Sequence, residues 1–208
     1  MLKSFAKNFR KPQGIFSKKV LKRMNENHAH VTEWGISKMD LRPDDVILDV
    51  GCGGGMAISK MAKSGAEIYG VDYSETAVKE ASKLNKDLIE NKQVNISRAD
   101  VSELAFANDT FTIVTAFETI YFWPDWRENF KEILRVLKPG GKFCVVLEIM
   151  KNAENNEEMR KKIDMRVPKD GEVAQIMGEA GFKDIKAYDQ EYKSTMEYCI
   201  IGIKQFLV

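Results

Sequence analysis

The sequence predicts an α/β fold in which a mostly parallel β-sheet is covered by helices on both faces. Short apolar runs alternate with stretches of helical periodicity along the chain, an order that is typical of parallel sheets. The clearest unit is Val46-Ile-Leu-Asp-Val-Gly-Cys-Gly-Gly-Gly55, where a buried strand leads into a glycine-rich turn and then a helix over 56–63. A chain of 208 residues suits one domain with a substantial core. We therefore expect a single domain over residues 1–208.

The further elements follow the same alternation and end in a hairpin. We expect strands over 66–71, 94–97, 111–117, 142–149, 183–188 and 196–204. We expect helices over 74–89, with an apolar stripe that includes Leu84, and over 126–137 and 170–180. The charged segment 151–166 is interpreted either as a lid on the substrate side or as a solvated surface helix.

The N-terminal segment is strongly basic. Residues 1–23 contain eight lysines and arginines, and no acid occurs before Glu26. Helices are expected over 16–24 and 29–38, so that residues 1–41 form a helical cap in front of a core over 42–208. The segment is either a mobile cap that attracts an anionic substrate or a basic arm that packs on the sheet.

Composition limits the class of protein. The chain has 32 basic and 31 acidic residues, a balance that argues against a dedicated nucleic-acid binder. The three cysteines are scattered without metal-ligand spacing, so we expect reduced thiols and neither a disulfide nor a metal site. No apolar run approaches the ~18 residues of a membrane span, and no secretory signal opens the sequence, so we expect a cytoplasmic protein.

The glycine turn predicts a nucleotide site at the carboxyl end of the first strand. A dinucleotide fingerprint would require a glycine at position 56, which is Met56. Asp72 ends the second strand, and an acid at this place in such a unit accepts hydrogen bonds from ribose hydroxyls. Tyr73 is positioned to flank the base. Cys52 is interpreted as a small side chain that fills the tight turn.

Five features together carry a family resemblance. They are the pattern Asp-x-Gly-x-Gly-x-Gly over 49–55, Asp72, Asp100 after the third strand, the strand end at Phe117-Glu118, and Val-Leu-Lys-Pro-Gly-Gly over 136–141. In order and spacing, over about residues 41–204, the sequence resembles the class I S-adenosylmethionine-dependent methyltransferases of the small-molecule branch (methyltransferase type 11-like). The resemblance implies a Rossmann-like seven-stranded sheet whose last strand is antiparallel.

The resemblance also implies a cofactor and its contacts. The cofactor is S-adenosylmethionine, which leaves as S-adenosylhomocysteine. Asp100 is expected to bind the adenine amino group, Val101 to read the ring through its backbone, and Asp49 to orient the ammonium. The full set of expected cofactor-binding residues is Asp49, Gly51, Cys52, Gly53, Gly55, Asp72, Tyr73, Asp100, Val101 and Phe117.

An aromatic loop follows the fourth strand, Glu118-Thr-Ile-Tyr-Phe-Trp-Pro-Asp125. With Phe117 it forms an aromatic wall that suits a sulfonium cation and a flat or apolar acceptor. Phe122 in this loop and Trp126 directly after it are interpreted as packing residues for the next helix. The candidate catalytic residues are Glu118, His28, His30 and Tyr121, and a general base is required only where the nucleophile must lose a proton.

These observations predict a methyltransferase (EC 2.1.1.-) that acts on a small-molecule acceptor by in-line displacement. No Asn-Pro-Pro-Tyr-like segment follows the fourth strand, which disfavours amino-methylation of nucleic acids. Two alternatives stay open: an RNA or protein methyltransferase that uses the basic arm, and a non-catalytic S-adenosylmethionine-binding protein. The sequence leaves open whether the chain is a monomer or a dimer.

Overall fold

The computed structural model describes residues 28–152, 157 and 165–206. The helix predicted over 16–24, residues 1–27 of the cap predicted over 1–41 and most of the predicted lid over 151–166 lie outside the described residues. The described part of the cap, residues 28–41, contains the helix predicted over 29–38. Within the described part of the chain, no helix is long and apolar enough to cross a membrane.

The described residues form one seven-stranded sheet, and it confirms the predicted fold class. Its strands are β1 Val46–Val50, β2 Glu67–Asp72, β3 Val94–Arg98, β4 Phe111–Phe117, β5 Leu137–Met150, β6 Lys183–Tyr192 and β7 Thr195–Ile203. They are arranged in the order β3-β2-β1-β4-β5-β7-β6. Strand β7 is antiparallel to both neighbours, and the other adjacent pairs are parallel.

Helices cover both faces of this sheet. They are α1 Ala29–Ile36, α2 Met56–Met61, α3 Glu75–Leu84, α4 Lys86–Glu90, α5 Trp126–Val136 and α6 Glu172–Ala180, with 3-10 turns at Ala62–Ser64 and Ile120–Phe122. Consecutive residues of β1 point to opposite faces, so Leu48 joins the core beneath α5 and α6. Ile47 joins the core with α1, α2 and α3. Fully burying a side chain of this kind contributes roughly 1.5–3 kcal/mol to stability.

The predicted helix over 74–89 is wrong in its continuity. The structure divides it at Asn85, whose buried side-chain amide donates to the carbonyls of Ala81, 2.9 Å away, and Gly55, 3.1 Å away. Leu84, predicted to belong to the apolar stripe, is 53% exposed. The chain therefore breaks helical continuity to bring Asn85 against the glycine turn.

The predicted strand over 142–149 begins earlier in the structure. Strand β5 starts at Leu137, which pairs with Phe111, and the next pair joins Lys142 to Ile113. Residues 138–141 form a bulge between these two pairs, and Gly140 in it has φ +80°, a conformation that favours glycine. The Lys-Pro-Gly-Gly segment thus ends the helix as predicted but stays within the strand.

The strand order creates a crevice at β1. The chain fills the sheet on one side of β1 with β2 and β3, and then crosses to β4 on its other side. At such a switch point the loops after the two central strands diverge, and open α/β sheets bind ligands there. The loops after β1, β2 and β4 therefore line the candidate site.

Candidate active site

A cavity of about 260 Å³ opens at the carboxyl ends of β1, β2 and β4. A single water needs only about 10–15 Å³ by such a measure, so this space is ligand-sized. Of the predicted site residues it is lined by His28, Asp49, Gly51, Cys52, Gly53, Asp72, Tyr73, Asp100, Val101, Phe117 and Glu118. Gly55, His30 and Tyr121 are not among its lining residues.

Asp49 presents a buried carboxylate to this cavity. Its side chain is 1% exposed, and Thr115 on the neighbouring strand donates to Oδ1 over 2.8 Å. No described residue donates to Oδ2. Burial raises the pKa of Asp49 to about 7, against the hydrogen bond from Thr115 that lowers it, and nearby Asp72 raises it further. An unpaired buried carboxylate oxygen is costly, so the arrangement favours a cationic ligand group at Oδ2.

Asp72 holds the glycine turn in place. The backbone N–H of Gly53 donates to Oδ2 over 3.0 Å, and that of Ser74 donates to Oδ1 over 2.8 Å. Burial raises the pKa of Asp72, and these two backbone hydrogen bonds oppose the rise. Each carboxylate oxygen has a second lone pair, so Asp72 can still accept hydrogen bonds from a ligand.

The three predicted glycines have different roles, and all three have positive φ. A Cβ at Gly51 would lie 2.1 Å from Thr119 Oγ1, whereas one at Gly53 would meet nothing within 4 Å. A Cβ at Gly55 would lie 2.5 Å from Asn85 Nδ2 and 2.9 Å from Ala81. Gly55 therefore makes room for α3 and Gly51 for Thr119, whereas a Cβ at Gly53 would be free of contacts. Gly51 and Gly53 line the cavity, and contact of all three glycines with the cofactor stays a prediction.

Cys52 is a buried packing residue within the turn. Burial raises the pKa of its thiol well above the usual value, and the carboxylates of Asp72 and Asp49 add to this rise. The thiolate is the reactive form of cysteine, so the environment disfavours chemistry at this sulfur. This agrees with its interpretation as a small side chain filling the turn.

Tyr73, Asp100 and Val101 lie together at the cavity after β2 and β3. Asp100 is exposed, and its Oδ1 accepts hydrogen bonds from the backbone N–H and the hydroxyl of Ser102, at 2.9 Å and 2.7 Å. Val101 is 8% exposed. The Asp100 carboxylate is thus held by a local turn beside the cavity.

Glu118 directly follows β4 and has an unusual backbone. Its φ of +53° is in the left-handed region, which costs a side chain other than glycine energy and is frequent at functional sites. Its N–H donates to the carbonyl of Val146 over 2.9 Å, which holds this conformation. Burial raises the pKa of Glu118, and His28 opposes that rise. His28 Nδ1 lies 3.3 Å from Glu118 Oε2, at ion-pair distance.

Tyr121 lies behind Glu118 and supports it. Its hydroxyl is 3.3 Å and 3.4 Å from the two Glu118 oxygens. The same hydroxyl accepts from the N–H of Glu148 and lies 3.0 Å from the carbonyl of Glu148, both on β5. Tyr121 is buried and touches the cavity only through Glu118.

His30 lies apart from this cluster although it is two residues from His28. Its Nδ1 is 2.9 Å from Oε1 of Glu197, a fully buried residue of β7. Gln190 donates to the other Glu197 oxygen over 2.6 Å, and the His30 ring stacks on Tyr192 at 3.6 Å. The two histidines at the start of α1 are therefore paired with carboxylates in different places.

The aromatic loop is divided between the cavity and the core. Phe117, Phe122 and Trp123 line the cavity. Phe122 also packs against the core, in agreement with the packing role predicted for it, and borders the cavity in addition. Trp126 is 1% exposed and its Nε1 donates to the carbonyl of Ile120 over 2.8 Å, in agreement with the packing role predicted for it.

Sequence reasoning missed three supporting residues: Thr115, Asn85 and Thr119. Thr115 is the register partner of Asp49 on β4, and a threonine in the middle of a largely apolar strand is the signal that points to it. Asn85 carries no comparable signal, because its function depends on where the end of α3 meets the glycine turn. Thr119 is seen only as the residue that fills the space above Gly51.

Known proteins match this chain in sequence. Residues 48–145 match the family model described as a methyltransferase domain. Sterol 24-C-methyltransferase ERG6 of Saccharomyces cerevisiae is 32% identical over 137 residues, which cover 64% of this chain and 35% of the yeast protein. The uncharacterized methyltransferase YdaC of Bacillus subtilis is 25% identical over 183 residues, which cover 87% of this chain and 95% of YdaC.

The fold also matches solved structures. One matching chain belongs to a Haloferax volcanii complex between the Trm112 methyltransferase activator and a methyltransferase. It superposes with a TM-score of 0.80 at 19% identity, over 99% of this chain and 98% of that chain. The chain spans 35–43% of four of its curated relatives, so their whole activities are not carried over to it. The sheet, the glycine turn and the methyltransferase-domain match over residues 48–145 together confirm the resemblance to the class I S-adenosylmethionine-dependent methyltransferases.

Proposed function

We propose that the chain moves a methyl group from S-adenosylmethionine to a small-molecule acceptor (EC 2.1.1.-). The observation that carries this proposal is the buried carboxylate of Asp49, which lines a ligand-sized cavity beside the glycine turn and whose Oδ2 lacks a donor among the described residues. The methionine end of S-adenosylmethionine has an ammonium group of matching charge. The unpaired carboxylate oxygen of Asp49 therefore fits the ammonium group of this cofactor.

The remaining lining residues fit the rest of the cofactor. Asp72 keeps lone pairs for the ribose hydroxyls, while Tyr73, Asp100 and Val101 surround the place where a base would lie. Phe117 and Trp123 offer aromatic surface to a sulfonium. The sulfonium methyl is already activated when bound, so the protein contributes mainly alignment and exclusion of water.

A small-molecule acceptor is favoured by the form of the site and by one relative. The cavity is partly enclosed. Glu118, Phe122 and Trp123 line it from the loop after β4. The yeast relative is by name a sterol methyltransferase. The basic arm on which an RNA or protein acceptor would depend lies outside the described residues.

The test is calorimetric titration of the purified chain with S-adenosylmethionine and S-adenosylhomocysteine, followed by incubation with radiolabelled cofactor and a metabolite extract. We expect saturable binding of both compounds and label in small organic products. Binding without any transfer would instead favour the non-catalytic binding protein. Absence of binding would contradict the proposal altogether.

A further inference from the structure

We propose that His28 is the general base of this site and that the acceptor is a neutral molecule with a phenolic or enolic hydroxyl as its nucleophile. This inference rests on the proposed methyl transfer, and it adds the proton path and the acceptor class. Four features of the described residues support it: the placing of His28, the support behind Glu118, the charge of the cavity and its apolar border.

The His28 ring has a covered Nδ1 and is partly exposed as a whole. Nδ1 has no exposed surface and lies at ion-pair distance, 3.3 Å, from Glu118 Oε2 without hydrogen-bond geometry, whereas 29% of the side chain is exposed. His28 also lines the cavity. With Nδ1 protonated beside the carboxylate, Nε2 carries the lone pair of the neutral imidazole, and in this proposal Nε2 is the nitrogen that meets the acceptor.

Glu118 is held by groups that fix the direction of its carboxylate. The Tyr121 hydroxyl contacts both of its oxygens, and that hydroxyl is anchored on the backbone of Glu148. The left-handed backbone at Glu118 turns the side chain away from the strand direction. A base oriented by a carboxylate, which a further group orients in turn, is the arrangement of a supported general base. In this chain of contacts Tyr121 is a positioning residue.

The carboxylates around His28 increase its basicity. Burial lowers the pKa of His28, but the hydrogen bond and charge of Glu118 and the charge of Glu148 outweigh burial, and the net shift is upward. Glu118 follows β4 and Glu148 lies on β5, and these are the charged groups that act on the ring from the elements packed against it. A raised pKa makes the imidazole a better proton acceptor, and the nearby carboxylate stabilises the imidazolium.

The charge of the cavity selects against anionic acceptors. Four carboxylates line it, from Asp49, Asp72, Asp100 and Glu118, while the described lining residues include no lysine and no arginine. A carboxylate or phosphate on the acceptor would meet like charge without a paired cation. Phe122, Trp123 and Pro124 provide apolar surface beside His28 and Glu118, which suits a flat, neutral molecule.

A base also discriminates between nucleophiles. A neutral amine already has a free lone pair, so its nitrogen can attack without prior loss of a proton. A hydroxyl becomes a good nucleophile only as its proton leaves. A preformed, carboxylate-supported base therefore has a catalytic use with a hydroxyl that it lacks with an amine.

The reaction transfers one methyl group and one proton. The acceptor oxygen forms a bond to the methyl carbon with its own electron pair, and the carbon–sulfur bond breaks with its pair kept by the sulfur, which becomes neutral. The hydroxyl proton moves to Nε2 of His28, and the imidazolium is paired with Glu118. The proton passes to water after the product leaves.

The first experiment is independent of turnover. The chain has only two histidines, so proton NMR titration of the ring resonances can follow each of them. His28→Gln and His30→Gln assign the two signals. We expect His28 to titrate above pH 6.5 in the native chain, and at lower pH in Glu118→Gln. Titration of His28 at or below pH 6.5, or a midpoint unaffected by Glu118→Gln, would overturn the proposed pair.

The second experiment measures transfer. A panel of neutral phenols and enols is compared with the same molecules carrying a carboxylate or phosphate and with the corresponding amines, and S-adenosylhomocysteine release is measured. We expect the neutral hydroxyl compounds to be methylated with a kcat/KM at least tenfold above that of their charged counterparts. A better rate with the anionic members or with the amines would overturn the acceptor class.

The variants separate the base from the framework. His28→Gln should keep its S-adenosylmethionine Kd within about threefold, lower kcat by about 10²-fold or more, and lose the acid limb of the kcat–pH profile. Tyr121→Phe should shift that limb, whereas His30→Gln, on the same helix but outside the cavity, should change neither. Unaltered turnover in His28→Gln overturns the base. Loss of cofactor binding by the unmodified chain overturns the proposed function instead.

Discussion

Thr115 Oγ1 donates a hydrogen bond of 2.8 Å to Asp49 Oδ1 across the β1–β4 pair, where the two residues are direct register partners. This bond occupies one oxygen of a buried carboxylate and leaves Oδ2 without a hydrogen-bond donor among the described residues. Substitutions at this pair and at the turn beside it should therefore change cofactor binding and stability in ways that can be measured separately.

Replacing Thr115 by valine should weaken cofactor binding. The change preserves shape but removes the donor, so Asp49 loses the hydrogen bond that favours its ionised form. A hydrogen bond to a charged group is worth about 1.5–3 kcal/mol, so the Kd for S-adenosylmethionine should rise by roughly tenfold or more. Calorimetry measures it. The control is Thr112→Val, on the same strand as Thr115. It removes a hydrogen bond to Asp45 and should leave the Kd unchanged.

Cofactor affinity should depend on pH through Asp49. With a pKa of about 7, Asp49 is increasingly protonated below neutrality, so affinity for a cationic group should fall about tenfold per pH unit there. The same raised pKa has an opposite effect on folding. The native state favours the protonated carboxyl, so the stability that this group contributes is present at low pH and is lost as pH rises through about 7.

Asp49→Asn should therefore separate binding from stability. Without cofactor at pH 8, the variant should melt at a higher temperature than the native chain, because no buried charge must form. Its affinity for S-adenosylmethionine should be at least tenfold lower and no longer depend on pH between 6 and 8. Calorimetry and thermal melts at both pH values provide the measurement, and undiminished affinity would contradict the role of Asp49.

Gly53→Val and Gly171→Val form a matched pair. Both glycines have positive φ, and neither Cβ would meet an atom within 4 Å, so the backbone strain of the two substitutions is similar at about 1–2 kcal/mol. Only Gly53 lines the cavity. We expect comparable losses in melting temperature, with loss of cofactor binding confined to Gly53→Val. Equal binding by the two variants would contradict the assignment of this turn to the cofactor.

Asn85→Asp should destabilise the glycine turn. It removes both hydrogen bonds from the side-chain amide and places a carboxylate beside the carbonyls of Gly55 and Ala81. Leaving buried groups unpaired costs about 1–3 kcal/mol each, so the free energy of unfolding should fall by a few kcal/mol. Denaturant titration measures it. Asn91→Asp, at the exposed end of α4, controls for the charge and should change stability little.

Much of the fold and part of the site could be predicted because their signals are local. Short apolar runs and stretches of helical periodicity are each recognisable within a few residues of sequence, so the strands and their order of appearance along the chain can be predicted. Asp49, Asp72 and Asp100 follow from the same logic, since each lies in or just after a parallel strand, and such strand ends meet at one edge of a sheet.

Local signals failed where two distant segments compete for the same space. The predicted helix over 74–89 has unbroken periodicity, yet Asn85 ends it to reach Gly55, 30 residues earlier. The bulge over 138–141 reads as a plain helix stop, but pairing with β4 extends the strand to Leu137. In both cases tertiary contacts outweigh propensities worth less than about 1 kcal/mol per residue.

Periodicity and spacing along the chain encode the sheet, the glycine turn, the family resemblance and the carboxylates at the strand ends. Only the tertiary structure distinguished His28 from His30, and Gly53 from Gly55. His28 meets Glu118 across 90 positions and His30 meets Glu197 across 167, although the two histidines are neighbours in sequence. Residues two apart on a helix point about 200° from one another, and strand order decides what each then faces.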